Sequence, residues 1–311
     1  LSLLDPVEKY LPEFSGLRVG REVGEGIVYE PLKRPLTVYD LLRHTAGLTY
    51  GVFFRSPVKG LYLEAGVDRF DLSREVFLER LAALPLRFQP GETFEYGLAT
   101  DLLGHLLEAL AGRSLAELLE ERLFRPLGMK DSGFQAKDPA RLAQPFPKDP
   151  ETGHSLRLLP VETPPPRYAG GMGGVGTAAD YLAFLEALRL GRGALSPTMA
   201  GFMVQDHLGS LYPEALKRGP EYLPGPGYSF GLGVAVRVEP MGYSPGALGE
   251  WTWAGFGGTF FFVDPLQEIT ALYLAQAPNL LSVLEPEKAL HSRLGARLQH
   301  AFRTLVYLGL E

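Results

Sequence analysis

The chain has 311 residues, with 30 Lys plus Arg against 36 Asp plus Glu, and it contains no cysteine. The net charge of −6 argues against a nucleic-acid binder, which needs a clustered basic surface. The lack of cysteine excludes disulfides, thiolate nucleophiles and Cys-ligated metal centres. No apolar run approaches the ~20 residues that a membrane span requires. The composition is that of a globular protein, and its many Pro, Leu, Arg and Glu residues would suit a hot environment.

Predicted helices and loops alternate in the first third of the chain. Residues 3–11 are predicted as a short helix, and residues 17–36 as turns and short strands. Thr37 is predicted to cap a helix that ends at Gly47. Residues 48–70 are aromatic and Gly-rich without a clear period, which predicts a long surface loop.

The middle of the chain carries clearer helix signals. Ser73 is predicted to cap one helix, and Ala99–Ala111 forms another because leucines recur along one face. Ser114, with a glutamate three residues later, predicts a capping box and a further helix. The Pro-rich stretch 130–168 is predicted to be a connector.

After the Gly cluster at 170–176 and a helix over 178–190 capped by Thr177, the pattern changes to strands. Aromatic and branched residues predict strands at Tyr228–Val238, Trp251–Trp253, Thr259–Val263 and Ile269–Ala275. A last helix is predicted from about Pro286 to Tyr307. This order predicts an α+β fold with an antiparallel sheet: one domain over 1–311, with a helical lobe at about 37–190 and a sheet portion at about 228–311.

Gly171–Gly176 matches the dinucleotide-binding pattern G-x-G-x-x-G. That pattern needs a strand in front of it, and the preceding Thr163–Pro166 is too proline-rich to be one. The six histidines show no metal-ligand spacing, so no metal site is predicted. No cofactor is predicted either.

Two sequence motifs contain a serine that could be a nucleophile. Ser244 lies in a G-x-S-x-G pattern, but Pro245 has no N–H to donate to an oxyanion, which favours a tight turn between strands. Ser56 and Lys59 form an S-x-x-K pattern, but their surroundings are predicted to be loop rather than helix. Neither serine is predicted to be a nucleophile.

Seven segments in order resemble the serine β-lactamase and penicillin-binding protein superfamily, in particular its class C-like branch and the family VIII carboxylesterases. These segments are residues 1–7, 36–48, 88–91, 96–104, 126–129, 170–181 and 253–255. The resemblance implies a class C β-lactamase-like fold with an antiparallel sheet, a mostly helical lobe and a site in the cleft between them. It also implies that a serine attacks a carbonyl to form an acyl-enzyme, which water then releases.

The resemblance assigns candidate site residues and shows departures from the family. Tyr96 corresponds to the tyrosine that acts on the proton of the serine. The resemblance assigns Leu98, Trp253, Gly255 and Phe256 to substrate or oxyanion binding. Leu98 stands where β-lactamases usually carry an asparagine that contacts the amide side chain. Trp253 and Gly255 stand at the Lys-Thr-Gly position, without the cation that holds a substrate carboxylate. Phe256 corresponds to the backbone oxyanion donor. Tyr96, Trp253, Gly255 and Phe256 are expected to line one cleft, with the Tyr96 hydroxyl within about 10 Å of the Phe256 N–H.

The family's Ser-x-x-Lys segment is expected upstream of Leu1, so the resemblance implies about 60–80 further residues and no nucleophile within 1–311. The resulting prediction is a serine hydrolase that acts on a small-molecule ester or amide, with an ester preferred. A β-lactamase, a D,D-peptidase and a non-catalytic acyl-binding relative remain alternatives. A cytoplasmic location is preferred and an extracytoplasmic one stays open, as does the oligomeric state.

Overall fold

A computed structural model describes residues 1–52, 56–149, 152–156, 159–193, 195–211, 225–240, 244–277 and 296–310. The chain forms two compact units. Described residues of the first unit lie within Leu1–Leu119, Pro164–Gly173 and Ser210–Lys217. Described residues of the second lie within Glu120–Thr163, Gly174–Gly209 and Arg218–Glu311.

The described part of the first unit combines one antiparallel hairpin with a set of short helices. These elements are β1 Arg18–Val23, β2 Gly26–Pro31, α1 Val38–Leu42, α2 Pro57–Ala65, α3 Arg74–Ala83, α4 Ala99–Ala111 and α5 Leu115–Leu119. Strand β1 also exchanges main-chain hydrogen bonds with Leu86, which follows α3. The hairpin confirms the strands predicted over 17–36.

Several predicted helix ends are confirmed by hydrogen bonds. The Thr37 side chain accepts the N–H of Asp40, whose carboxylate accepts the N–H of Thr37 in return. The oxygen of Ser73 caps α3 in the same way. Gly112 ends α4 in the left-handed conformation (φ 63°), where glycine avoids a steric penalty. These ends were predictable because a cap depends on residues only three or four positions apart.

Three predictions in this unit were wrong. The Thr37-capped helix ends at Leu42 and not at Gly47, and His44 just beyond it has a positive φ that does not continue a helix. Residues 3–11 form only a 3₁₀ turn at Val7–Lys9, since prolines at 6 and 12 restrict the backbone on both sides. The predicted loop over 48–70 contains α2, which buries Val58 and Tyr62 completely. The helix is stabilised by this burial rather than by a strong amphipathic pattern.

The core of the first unit forms around α4. Leu102 and Leu106 of α4 are fully buried, as are Leu41 of α1 and Phe77 of α3. Because α4 packs on several neighbours, the segment that precedes it is attached to a helix with a fixed position.

The described part of the second unit is a five-stranded antiparallel sheet with helices. Its strands are β3 Tyr228–Phe230, β4 Ala235–Arg237, β5 Trp251–Ala254, β6 Phe260–Asp264 and β7 Ile269–Tyr273, and its helices are α6 Ala178–Arg189, α7 Pro197–Met203 and α8 Ala296–Leu308. The strands pair in sequence order, β3-β4-β5-β6-β7. Trp253 lies opposite Phe261 in the β5–β6 register.

The two faces of this sheet bury different partners. One face, with Trp251, Phe261 and Val263, packs on the helix pair α6 and α7. The other face, with Phe260 and Phe262, packs on α8. Successive side chains of β6 therefore point into two different apolar layers, which explains why this strand is buried along its whole length.

The predicted strands β5, β6 and β7 and the Thr177-capped α6 are confirmed. The predicted single strand over 228–238 is instead the short hairpin β3–β4, and α7, capped by Ser196, was not predicted. The predicted start of the last helix at Pro286 lies outside the described residues. Among the described helices, none has both the length and the apolar character needed to cross a bilayer.

Candidate active site

Tyr96 lies in the segment that leads into α4, and aromatic rings flank it. Its ring centroid is 4.7 Å from that of His44 and 5.6 Å from that of Tyr50. Both neighbours belong to residues 44–50, which we call the wall segment. Residues 95–97 are called the Tyr96 loop. The two segments are about fifty positions apart in sequence, so only the tertiary fold brings them together.

The main chain of the Tyr96 loop is tied to the wall segment on both sides of Tyr96. The N–H of Glu95 donates to the carbonyl of His44 (2.8 Å), and the N–H of Gly97 donates to His44 Nδ1 (3.4 Å). A Cβ atom on Gly97 would lie 2.5 Å from the Leu48 carbonyl oxygen and from Thr49 Cα. Residue 97 must therefore be glycine for the two segments to approach this closely.

A buried cluster of charges holds Glu95, the residue before Tyr96. One carboxylate oxygen accepts the Thr49 hydroxyl at 2.6 Å and lies 3.4 Å from the Lys59 ammonium. The other lies 3.1 Å from the Arg87 guanidinium. The Lys59 and Glu95 side chains are 2% and 0% exposed. Because an uncompensated charge at such a site is unfavourable, the four side chains fix one another and fix the loop.

His44 is a neutral histidine enclosed by the fold. Burial lowers its pKa from 6.5 to about 3. Since the N–H of Gly97 can only donate, Nδ1 must accept, and the proton therefore resides on Nε2, 3.2 Å from the Thr100 hydroxyl. His44 also has a positive φ of 54°, which is uncommon for a residue other than glycine.

The Gly-rich segment that resembled a dinucleotide site packs on α4 instead. A Cβ on Gly170 would lie 2.2 Å from the Thr100 carbonyl oxygen, and one on Gly171 would lie 2.5 Å from a carboxylate oxygen of Asp101. Arg167 Nη1 lies 3.4 Å from the other Asp101 oxygen. No strand precedes this segment among the described residues of 152–168. These glycines allow close packing beside the start of α4.

In the second unit, Trp253, Gly255 and Phe256 lie at the end of β5 and in the turn that follows. Trp253 is half-buried, and its ring meets the Phe230 ring edge-on at 5.2 Å. The N–H of Gly255 donates to the Thr259 carbonyl (2.8 Å), and a Cβ on Gly255 would lie 2.2 Å from Thr259 Oγ1. Strand β5 thus leads into a tight turn, in which a side chain at position 255 would require the Thr259 hydroxyl to move.

Phe256 is placed so that its main chain is available to a ligand. Its side chain is 52% exposed. Among the backbone hydrogen bonds of the described residues, none uses the N–H of Phe256. Ala277 holds the far side of the same turn, since its N–H donates to the Gly257 carbonyl at 2.8 Å. A free N–H on a fixed turn is a suitable donor to an oxyanion.

Leu98 has a different environment from the other predicted site residues. Its side chain is 0% exposed and belongs to the hydrophobic core of the first unit. Such burial leaves no surface for contact with a substrate, so the structure places Leu98 beneath the Tyr96 loop as a packing residue. The predicted approach of Tyr96 to Phe256 stays a prediction.

The S-x-x-K pattern lies on a helix, so the predicted loop around it was wrong. Ser56 is the N-cap of α2, and its hydroxyl oxygen accepts the N–H of Lys59 at 3.4 Å. The Ser56 hydroxyl also bonds the Glu22 carboxylate. The Lys59 ammonium pairs with Glu95. The two side chains therefore have separate structural partners. That Ser56 is not a nucleophile stays a prediction.

Ser244 lies in a turn before β5. Arg237 donates to the main-chain carbonyls of Ser244 (2.8 Å) and Pro245 (2.9 Å). No helix follows within residues 244–250. The predicted turn is confirmed for these residues, whereas residues 242 and 243 lie outside the described part of the chain.

Sequence reasoning missed His44, Thr49, Lys59, Arg87 and Glu95. His44 lies inside a segment that carries the family resemblance, and Glu95 directly precedes Tyr96, so both lie within or next to residues that the resemblance identified. Lys59 was considered only as the partner of Ser56. Its pairing with Glu95 across 36 positions has no local sequence signal.

Comparisons with known proteins show the family of the chain. Residues 1–291 match the Beta-lactamase family. Esterase EstB of Burkholderia gladioli is 33% identical over 295 residues, covering 88% of this chain and 70% of EstB. Lovastatin esterase of Penicillium rubens is 29% identical over 300 residues, covering 89% of this chain and 73% of that protein.

A solved structure shows the same fold. EstCE1, described as a hydrolase with promiscuous acyltransferase activity, superposes with a TM-score of 0.72 at 30% identity, covering 94% of this chain and 78% of EstCE1. The predicted β-lactamase-like α+β fold is therefore confirmed. From the match over nearly its whole length and the identity to EstB, the chain belongs to the Beta-lactamase family.

Proposed function

We propose that the protein is a carboxylesterase that acts through a serine acyl-enzyme. The serine oxygen bonds to the carbonyl carbon of the ester, and the alcohol leaves with a proton. Water then attacks the acyl-serine, releases the carboxylic acid and restores the serine hydroxyl. The similarity to proteins described as esterases, EstB above all, carries this proposal.

Tyr96 is proposed to accept the proton of the serine and to pass it to the departing alkoxide. A tyrosine accepts a proton only as its phenolate, and a phenol with an ordinary pKa near 10 is a poor base at neutral pH, so this step requires a nearby cation that stabilises the phenolate. The two flanking rings and the hydrogen bonds at residues 95 and 97 support this role, since they restrict the motion of Tyr96.

The end of β5 is proposed to bind the reacting carbonyl. The Phe256 N–H would donate to the oxygen on which negative charge develops, and Gly255 keeps the strand free of a side chain there. Trp253 supplies an aromatic surface instead of a cation. A neutral acyl group suits this surface better than the carboxylate of a β-lactam, because an unpaired carboxylate near an aromatic wall is poorly solvated.

The test compares two substrates of the protein. We expect kcat/KM for p-nitrophenyl butyrate to exceed that for nitrocefin by ~10³ or more, since Trp253 stands where the family's lysine would pair with the β-lactam carboxylate. Faster nitrocefin turnover would assign the protein to the β-lactamases. Hydrolysis of neither substrate would support a non-catalytic acyl-binding relative.

Tyr96→Phe tests the proposed proton transfer. Removing a positioned acid–base group reduces kcat by ~10²–10⁴-fold. The matched control is Tyr39→Phe, which removes the hydroxyl of another half-buried tyrosine in the same unit. Equal turnover of Tyr96→Phe and wild type would contradict the role of Tyr96.

A further inference from the structure

We propose that His44 is a positioning residue for Tyr96, and that its imidazole fixes the orientation of the phenol during acyl transfer. The inference rests on the proposed function, because it assumes that Tyr96 transfers protons. His44 itself is not proposed to touch the substrate.

Three separate contacts link His44 to the Tyr96 loop. The His44 ring lies against the Tyr96 ring with an interplanar angle of 47°. The His44 carbonyl accepts the N–H of Glu95, and His44 Nδ1 accepts the N–H of Gly97. One residue thus contacts Tyr96 and both of its chain neighbours. Such a set of contacts restricts both the position of the loop and the rotation of the ring.

The backbone of His44 shows that this placement is maintained against a local conformational preference. A φ of 54° is disfavoured for a residue with a side chain. Such a conformation persists when the surroundings determine it, and here Thr45 is anchored to Asp40 through both its N–H and its hydroxyl. The position of His44 is therefore fixed by the anchored neighbour Thr45 as well as by the contacts with the Tyr96 loop.

The protonation state of His44 suits a positioning residue rather than a group that donates or accepts protons during the reaction. Burial keeps the ring neutral at neutral pH. Nδ1 is occupied by Gly97, and Nε2 lies beside Thr100 of α4. A neutral ring adds no charge next to the phenol, and its second hydrogen bond ties the arrangement to the helix that the Tyr96 loop enters.

His105 provides a matched comparison within the same unit. It is 0% exposed, its ring lies 5.3 Å from that of Phe77, and its Nδ1 pairs with Glu108 at 2.8 Å. It thus resembles His44 in burial, ring contact and hydrogen bonding, but none of these contacts is to Tyr96. A purely structural role predicts equal consequences for the two histidines.

The experiment measures kcat and KM for p-nitrophenyl butyrate with His44→Asn and His105→Asn. Asparagine tolerates a positive φ and can accept the Gly97 N–H, so His44→Asn removes mainly the ring. We expect kcat to fall by ~10–100-fold with KM changed less than about threefold. His105→Asn should keep kcat within about twofold. Equal effects of the two variants on kcat would overturn the proposal.

A double-variant cycle shows whether His44 acts through Tyr96. In the Tyr96→Phe background, His44→Asn should change kcat by less than about twofold, because the group that it positions has gone. Multiplicative losses would overturn the proposal while leaving Tyr96 as a catalytic residue. Full turnover by Tyr96→Phe would instead contradict the role of Tyr96 on which the inference rests, and hydrolysis of neither ester nor nitrocefin by the wild type would contradict the proposed function, so the failures are distinguishable.

A milder pair of variants decides the question if His44→Asn does not fold. Thr100→Val removes the hydroxyl beside His44 Nε2 at nearly constant volume, and Thr100→Ser retains it. We expect kcat to fall by ~3–10-fold in Thr100→Val and to stay near wild type in Thr100→Ser. Equal kcat values for the two variants would contradict the proposal.

Discussion

Two buried clusters of charged side chains, one in each unit, fix different parts of the protein. In the first unit, Lys59, Arg87 and Thr49 surround Glu95, which directly precedes Tyr96. In the second unit, Arg303 of α8 pairs with Glu250 and contacts Tyr228. The chemistry is similar, but only the first cluster includes a neighbour of a candidate catalytic residue.

The second cluster attaches the last helix to the sheet. Tyr307 of α8 donates to Asp264 at 2.5 Å, and Asp264 also accepts the N–H groups of Ala247 and Leu266 at 3.0 Å. Burial raises the pKa of Glu250, and Arg303 opposes that rise. A buried ion pair therefore identifies a fixed point of the fold and not by itself a site. What distinguishes the first cluster is the residue that it fixes.

Glu95→Gln should have the largest effect, because it affects stability and activity together. It leaves the buried Lys59 and the adjacent Arg87 without a carboxylate, so the free energy of unfolding should fall by about 3–5 kcal/mol. kcat should fall as well, by ~10-fold in the folded fraction, because the Tyr96 loop loses an anchor. Urea unfolding and steady-state kinetics on the same sample measure both. An unchanged kcat would show that the Glu95 cluster does not position Tyr96.

Arg303→Met should show the opposite combination. The buried Glu250 loses its cation, so the free energy of unfolding should fall by about 3 kcal/mol. The kcat of the folded protein should stay within about twofold. The double variant Glu250→Gln/Arg303→Met should recover part of the stability, since no buried charge is left unpaired. A kcat loss as large as that of Glu95→Gln would remove the distinction between the clusters.

Acid should destabilise the protein through His44. Its pKa is lower in the folded protein than in the unfolded chain, so between pH 6.5 and about 3 the unfolded chain binds the extra proton. The stability from neutral His44 is therefore complete above pH 6.5 and decreases as the pH falls, by about 2–3 kcal/mol down to pH 4.5. Unfolding free energies of wild type and His44→Asn should converge over this range. Parallel pH curves would contradict the buried neutral state.

Arg122→Met should have the smallest effect. Arg122 pairs with Glu121 at the surface, where its side chain is 78% exposed. An exposed ion pair contributes about 0–1 kcal/mol, so the change in unfolding free energy should stay below about 0.5 kcal/mol. The variant is thus the baseline for Arg303→Met, measured by the same urea titration. A loss comparable to that of Arg303→Met would mean that burial does not explain the second cluster.

The fold was predictable from sequence where the signal is local. Thr37, Ser73 and Thr177 identified their helices because a cap and its partner N–H are three residues apart. Helix α2 was missed although Ser56 and Pro57 are a typical cap and first-turn pair, because its apolar residues do not follow a clear helical period. Its stability depends on long-range burial.

The same limit applies to the site. Tyr96 was found from the family resemblance, whereas its ring contacts with His44 and Tyr50 depend on a fold that joins residues about fifty positions apart. Leu98 was assigned to substrate from its position in the motif, but a motif does not show which side of the chain is buried. Its complete burial became visible only with the core around α4.

The proposed enzyme forms an acyl-enzyme on a serine that is neither Ser56 nor Ser244. Labelling the protein with a fluorophosphonate probe, followed by peptide mass spectrometry, tests this directly. We expect one stoichiometric serine adduct that lies on neither of these two residues, because Ser56 is occupied as a helix cap and Ser244 lies in a turn held by Arg237. A stoichiometric adduct on Ser56 or Ser244, or the absence of any serine adduct in protein that hydrolyses p-nitrophenyl butyrate, would contradict the claim.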